Sequence, residues 1–129
     1  MGQPAAKQGD SVVGTDIHIV MVPAPPGPPV PTPLPHVFSG TLEDALSSNV
    51  TIEGSAAATV DSIAINNPPH VPTAPGVSFQ APPANKGPVI AGSGTVTING
   101  KAAARLGDPV QSCDGMSTVT SGAGTVTIG

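Results

Sequence analysis

A short strand-forming segment occurs three times in this chain and constrains its fold more than any other feature. Residues 49–54, 94–100 and 124–129 each contain the alternating sequence Val-Thr-Ile and end on glycine. Alternation of β-branched residues over so short a run predicts a half-buried strand. Apolar side chains fall on one face of the three predicted strands and threonines on the other: Val50, Ile52, Val96, Ile98, Val126 and Ile128 against Thr51, Thr97 and Thr127.

A second motif follows two of these strands. Ser-Ala-Ala-Ala-Thr-Val-Asp occupies residues 55–61, and Lys-Ala-Ala-Ala-Arg-Leu-Gly-Asp occupies residues 101–108. A related sequence, Pro-Ala-Ala-Lys-Gln-Gly-Asp, occupies residues 4–10 with no strand before it, whereas the strand at 124–129 has no motif after it. Because these two gaps are complementary, we predict that the C-terminal strand completes the N-terminal unit, giving three units around a pseudo-threefold axis.

The composition favours a narrow fold over a large globular core. The chain has 16 glycines and 17 prolines among 129 residues, no tryptophan or tyrosine, and only 9% charged residues. Small residues allow neighbouring backbones to approach closely. We therefore predict a single all-β domain over residues 1–129, a small pseudo-threefold β-prism that tapers to a cone and carries long Pro-rich loops.

Local signals predict the segments between the repeats. Residues 23–35 and 68–88 are rich in proline, so we expect two extended loops there. Thr41-Leu-Glu-Asp44 resembles a capping box, which predicts at most one short helix near residues 42–47. Residues 88–91 and 117–120 are predicted to form short strands.

Charge and hydropathy exclude several classes of protein. Four Lys and Arg against eight Asp and Glu leave too few cations for nucleic-acid binding. The longest apolar stretch, residues 17–22, is much shorter than a membrane span, and the N-terminus lacks the apolar run of a signal peptide. Cys113 is the only cysteine, which excludes an internal disulfide and predicts folding in a reducing compartment.

The sequence does not predict an enzyme. Glu43 and Asp44 are adjacent and would point to different faces of a helix, and Ser93 lies outside a Gly-x-Ser-x-Gly frame. We expect Asp10, Asp61 and Asp108 to stabilise turns through their side-chain oxygens. We therefore assign no catalytic residue and expect no small-molecule substrate.

His18, His36, His70 and Cys113 are all the histidines and cysteines in the chain. Three imidazoles and one thiolate make a complete tetrahedral zinc set, which predicts one structural Zn²⁺ per chain. Their register supports this, since His18 follows Asp10 by eight residues, His70 follows Asp61 by nine and Cys113 follows Asp108 by five. Taken singly, each residue is better explained as a solvated histidine or a small buried cysteine.

The motif at residues 98–108, Ile-Asn-Gly-Lys-Ala-Ala-Ala-Arg-Leu-Gly-Asp, resembles the signature of the PAAR-repeat family, and Pro4–Asp10 is similar to it. The resemblance implies a three-faced β-structure with a zinc near its apex, held by His18, His36, His70 and Cys113. This chain departs from the family pattern at Lys7 and Ala102, and its middle motif lacks both the arginine and the glycine.

The resemblance also implies a function. Members of this family cap the trimeric, VgrG-type spike of type VI secretion and related contractile injection machines. We accordingly expect a structural tip, one per trimer, that sharpens the spike and helps it to puncture a target envelope. The tip would be made in the bacterial cytoplasm and delivered out of the cell on firing.

The apolar residues of the three repeated strands are the predicted spike-binding surface. The alternative is a zinc-stabilised adaptor that recruits effector cargo through its Pro-rich loops.

Overall fold

The computed structural model describes residues 2–113 and 115–129, and these residues form strands, turns and loops without a helix. The thirteen strands are β1 (Gln3–Pro4), β2 (Ser11–Val22), β3 (Val30–Asp44), β4 (Thr51–Ile52), β5 (Ser55–Ala56), β6 (Ile63–Asn66), β7 (Ser78–Phe79), β8 (Lys86–Pro88), β9 (Thr97–Ile98), β10 (Lys101–Ala102), β11 (Pro109–Ser112), β12 (Gly115–Val119) and β13 (Thr127–Ile128). The all-β prediction is confirmed.

The C-terminal strand completes the N-terminal unit, as the repeats predicted. β13 pairs antiparallel with β1, and Gln3 lies opposite Ile128. The same pairing occurs within one hairpin in each of the other units, β4 with β5 and β9 with β10. In those hairpins both turn residues have positive φ, which is typical of the tight turn that suits the twist of paired strands. The chain termini therefore replace the turn of the third hairpin.

Three alanines, one from each motif, close a ring of backbone hydrogen bonds. The Ala6 N–H donates to the carbonyl of Ala104, the Ala104 N–H to that of Ala58, and the Ala58 N–H to that of Ala6, each over 3.0 Å. We call the three motif segments, residues 4–10, 56–62 and 102–108, the base ring. Its hydrogen bonds repeat from unit to unit, which confirms the pseudo-threefold arrangement.

The turn that ends each motif also repeats, with one shift of register. Gly9 and Gly107 have φ of +87° and +91°, and Asp61 holds the equivalent position at +77°. The carboxylates of Asp10 and Asp108 accept the backbone N–H of the residue three positions earlier, as predicted. The prediction for Asp61 is wrong, because this residue occupies the place of the missing glycine, and Ser62 accepts the N–H instead.

A larger antiparallel sheet extends from the base ring. Its strands follow the order β11-β12-β2-β3-β6-β8, and β7 pairs with the far end of β2. A bridge between Val89 and Val110 joins the two edges, so the sheet is a nearly closed barrel. At this seam a Cβ on Gly87 would overlap the carbonyl of Gln111, so the barrel closes only where residue 87 has no side chain.

Two local predictions on the β3 segment are wrong. Residues 30–35 are not loop but the first part of β3, paired with β2 from Val30 opposite Val22 onwards, so that only residues 23–29 connect the two strands. Alternating prolines fit such a strand. In an antiparallel pair only every second residue donates its N–H to the neighbouring strand, so proline, which has no N–H, can occupy the positions between.

The helix near residues 42–47 is also absent. The backbone of Leu42 belongs to the sheet, because its N–H donates to the Asp10 carbonyl and its carbonyl accepts the Gly9 N–H. Ala45 then has a φ of +55°, which no helix accommodates. The Thr41 hydroxyl donates to Glu43 rather than accepting a backbone N–H as a cap would. The strand predicted at 117–120 is found as β12, and the one at 88–91 lies slightly earlier, as β8.

The core consists of small side chains in sets of three. Equivalent positions of the three units contribute one residue each, and together with Phe38 they form the barrel interior: Ala6, Ala58 and Ala104; Val12, Ala64 and Val110; Leu42, Val89 and Val119. A second cluster lies beneath the base ring and contains Ala5, Ala57, Ala103, Ala123, Ile52, Ile98 and Ile128. Few bulky residues suffice because the prism is narrow.

Candidate metal centre

The far end of the barrel brings most of the predicted ligands together. Alternation along β2 turns Asp16 and His18 inward, and Asp16 lies opposite His36 in the β2–β3 pairing. His70 lies in the loop after β6, and Cys113 follows β11. We call these five residues the metal cluster. Ligand atoms of four of them, Asp16, His18, His70 and Cys113, lie within 4.8 Å of one another.

The corrected register explains why two histidines meet. Because Ser62 is the counterpart of Asp10, His70 and His18 each stand eight residues after the end of their motif. Equivalent positions around a pseudo-threefold axis converge, and the two imidazole centroids are 4.9 Å apart. The third unit turns back earlier, after β11, and contributes Cys113 instead.

Asp16 is the member of the cluster that was not predicted from the sequence. Its side chain is fully buried, and its Oδ2 lies 2.9 Å from His70 Nε2 and 3.9 Å from His18 Nε2. Ser112 donates its hydroxyl proton to the other carboxylate oxygen. The period of two along β2 could have indicated Asp16, since it lies two residues before His18 and therefore on the same face.

His36 lies beside this group rather than within it. Its ring centroid is 5.3 Å from that of His18 and 5.5 Å from that of His70. Its Nδ1 lies 2.9 Å from the Leu34 carbonyl, and its Nε2 accepts the Thr73 N–H at 3.1 Å. Both ring nitrogens of His36 thus have backbone partners, and its ring lies next to those of His18 and His70.

Asn85, which no sequence pattern singled out, organises the cysteine side of the cluster. Its backbone N–H donates to Cys113 Sγ at 3.0 Å, and its Oδ1 accepts the His70 N–H at 2.7 Å. Asn66, itself buried, donates to the same Oδ1. Asn85 thus fixes the loop that carries His70 through its side chain and contacts Cys113 through its backbone N–H.

The surroundings of Cys113 act on its thiol in opposite directions. Burial raises the pKa of Cys113, and the negative charge of Asp16 raises it further. The N–H groups of Asn85 and its neighbours lower the pKa, because they stabilise the thiolate. A divalent cation would strongly favour that thiolate, since metal-bound thiols are deprotonated.

The donors fit a zinc ion chemically. Imidazole nitrogen, thiolate and carboxylate are the ligand types that Zn²⁺ takes, in tetrahedral geometry. Tetrahedral ligands about 2.1 Å from the metal stand about 3.4 Å from one another. The 2.9 Å and 3.9 Å distances from Asp16 to the two histidines lie on either side of that value. Phe79 packs against His18 and His36, with centroids 5.8 Å and 5.3 Å away, and limits access of water.

The predicted spike-binding residues lie at the opposite end of the molecule. Ile52, Ile98 and Ile128 are 6 to 9% exposed and pack inside the cluster beneath the base ring. Val50 and Val96 are half-buried against that cluster, and Val126 is 36% exposed. The valines and the exposed threonines therefore form the outer surface of this end, while the isoleucines support it from within.

The comparisons with known proteins agree with the repeat pattern. The family model described as PAAR motif matches residues 80–129, which include the third motif and the strands on both sides of it. No curated protein and no solved structure matched the chain. Among the described residues, no helix is long and apolar enough to cross a membrane. The C-terminal part of the chain thus matches the PAAR motif, and the backbone hydrogen bonds of that part are repeated in the other two units.

Proposed function

We propose that this protein is the tip of a trimeric, VgrG-type spike in a type VI or related contractile injection machine. The observation that carries the proposal is the base ring, in which one chain presents three equivalent units around an axis. Such a chain can contact a trimer with one repeat unit on each subunit. One copy of the chain is then enough to cap three spike subunits. The PAAR motif match supports the same role.

The base would make the contact with the spike. Its strands β4, β9 and β13 are edge strands of two-stranded sheets and have valines beside them, a combination that suits strand addition to a partner sheet. The opposite end narrows to the metal cluster, where no catalytic group is assigned. The protein would therefore act mechanically, by ending the needle in a point, and not as an enzyme.

A structural Zn²⁺ would hold that point. His18, His70 and Cys113 are three of its proposed ligands, and the fourth comes from either His36 or Asp16. When bound, the ion cross-links the β2–β3 hairpin, the loop before β7 and the turn after β11. Zinc in such sites contributes on the order of 10 kcal/mol to folding. The chain has few large apolar side chains that could hold these segments together without a metal.

Native mass spectrometry of the protein mixed with its trimeric spike protein tests the proposal. We expect one chain per three spike subunits. Val126→Glu should weaken the complex at least about tenfold, because it places a charge on the proposed contact surface. Val37→Glu is the matched control, since Val37 is 68% exposed near the metal cluster and should have no effect. No complex, or loss of binding by the control variant alone, would contradict the tip role.

The adaptor function is a second candidate, favoured by one surface feature. A cavity of about 420 Å³ opens between β3 and the loop that carries His70. Val37 and Val71 border it and are 68% and 74% exposed, so the rim of the cavity presents two apolar side chains to solvent. If the protein delivers cargo, Val37→Glu should abolish cargo binding and leave spike binding unchanged.

A further inference from the structure

The first half of β3 is paired on one side only. β2 pairs with β3 from Thr41 to Val30, whereas β6 pairs with it only from Gly40 onwards. Among the residues that the structure describes, no strand pairs with residues 31–37 on the side away from β2. We call residues 31–37 the open edge, which is about 20 Å long. Such an edge normally presents free N–H and C=O groups, on which another chain can add a strand.

The register of β3 decides which of its residues face the open side. The Leu42 N–H donates to the Asp10 carbonyl, so the even-numbered residues make the hydrogen bonds to β2. The odd-numbered residues face the other way, as Ser39 does when its carbonyl accepts the Asn67 N–H. The residues that face outward along the open edge are Pro31, Pro33, Pro35 and Val37.

Proline at three of these four positions removes the donors that an added strand would need. The three prolines are exposed, and each ring occupies the place of the missing N–H hydrogen. The Pro35 carbonyl already accepts the Thr73 hydroxyl at 2.8 Å. An incoming strand would therefore find one backbone donor, at Val37, and would meet pyrrolidine rings at the other positions.

The open edge lacks the other common forms of protection. Exposed edges are usually kept apart by charged side chains or by being very short. Residues 17–42 contain no Asp, Glu, Lys or Arg, and Val30 and Val37 are 49% and 68% exposed. By contrast β7, which pairs with the far end of β2, has only two residues. Without its prolines, the open edge would be a long, uncharged and partly apolar strand, which is a site for self-association.

We infer that Pro31, Pro33 and Pro35 close this edge of β3 to strand addition by a second copy of the chain. A second copy is the partner to exclude, because two open edges have equal length and could pair antiparallel around a twofold axis. Strand addition is then left to the edge strands of the base, a consequence that rests on the proposed function. The closure of the edge does not depend on it.

The double variant Pro31→Thr with Pro33→Thr tests this inference in sedimentation velocity runs at several concentrations. It restores two backbone donors per chain, hence four hydrogen bonds in a twofold dimer. We expect self-association at least about 100-fold tighter than that of the wild type. Pro23→Thr with Pro28→Thr is the matched control, because these prolines are exposed but lie outside the strands, and it should stay monomeric. A folded edge variant that stays monomeric, or equal association of the control, would overturn the inference.

Amide hydrogen exchange locates the contact in the associated edge variant. The N–H groups introduced at positions 31 and 33 should exchange freely in the dilute monomer and become protected on association. Association that leaves them unprotected would show that another surface is responsible, and would contradict the inference.

The wild-type protein provides a test that does not depend on whether a variant folds. Without the spike it should sediment as a monomer at the highest concentration reached. A wild-type dimer whose chemical cross-links join β3 to β3 would overturn the inference. Because the spike is absent from all these measurements, failure of the proposed function would not affect their outcome.

Discussion

At the base ring the three repeat units make the same backbone hydrogen bonds, whereas at the metal cluster they share almost no local structure. The base ring is built from backbone groups and small apolar side chains, and its geometry tolerates Lys7, Thr59 and Arg105 at one equivalent position. The metal cluster is built from side-chain donors, which a hairpin, a loop and a tight turn carry to one place.

This difference indicates that the threefold-symmetric part of the molecule and the part that brings ligand atoms together lie at opposite ends of its axis. A surface proposed to match a trimer needs three equal faces, and a repeat produces them. A single metal ion needs only donor atoms at short distances from one another, so its ligands can come from segments of different length and structure. The units therefore diverge only after the core positions Val12, Ala64 and Val110.

Removal of residues 124–129 should have the largest effect, because it takes away β13 and Ile128 and leaves β1 unpaired. We expect loss of cooperative unfolding in thermal scans followed by circular dichroism.

A circular permutant is the matched control for that deletion. In this permutant an Asn-Gly linker joins Ile128 to Gln3, and the new termini lie in the connection between β2 and β3, at residues 23–29. This linker copies Ile98-Asn-Gly-Lys101, so the third hairpin would become like the other two. A permutant that fails to fold would contradict the equivalence of the three units.

Gly87→Ala tests the closure of the barrel between the two regions. The added methyl group would overlap the Gln111 carbonyl, and the strands would have to separate. We expect the free energy of unfolding to fall by about 3 kcal/mol in urea titrations. Gly94→Ala is the control, because its Cβ would meet no atom within 4 Å. Equal effects of the two changes would show that the seam is not closely packed.

Asp61→Gly tests the shifted register of the middle unit. Asp61 holds a left-handed conformation that Gly9 and Gly107 adopt without strain. We expect a gain in stability of up to about 1 kcal/mol, and a loss of similar size for Gly9→Ala. The ion pair between Asp61 and Lys101 is exposed and contributes little to the free energy of unfolding. Destabilisation by Asp61→Gly would mean that the left-handed backbone conformation at residue 61 does not strain the middle unit.

Acid titration of Glu53 should give the smallest effect. The hydroxyl and the N–H of Thr125 both donate to its carboxylate and lower the pKa of Glu53. Since the folded-state pKa is the lower one, the stabilisation is present above the unfolded pKa and is lost as the pH falls through the folded pKa. Glu53→Gln should remove this part of the acid sensitivity, measured as the melting temperature between pH 3 and pH 7, about the range over which carboxylates titrate. An identical pH profile would exclude a contribution of this contact.

The repeats made the base predictable from sequence. Strand alternation in Val-Thr-Ile and the complementary gaps at the two termini are local signals, and they were sufficient to predict that β13 joins β1. The loop and helix predictions around β3 failed because pairing with β2 and the contacts of Leu42 override the local preference of a Pro-rich or capping-box sequence.

The metal cluster was predictable only in part. His18, His70 and Cys113 were selected by residue type, and the structure brings them together. Asp16 was missed because an aspartate in a strand carries no distinctive spacing signal, although the period of two placed it beside His18. Asn85 acts through its left-handed backbone and two hydrogen bonds, which depend on how distant segments pack.

Amide hydrogen exchange, measured with and without a zinc chelator, tests most directly the claim that the base is held by backbone hydrogen bonds and the tip by a metal ion. We expect the N–H groups of Ala6, Ala58 and Ala104 to stay protected in both conditions. The N–H groups of His70 and Thr73 should lose protection when the metal is removed. Protection that is unchanged at His70 and Thr73 after chelation would contradict the account.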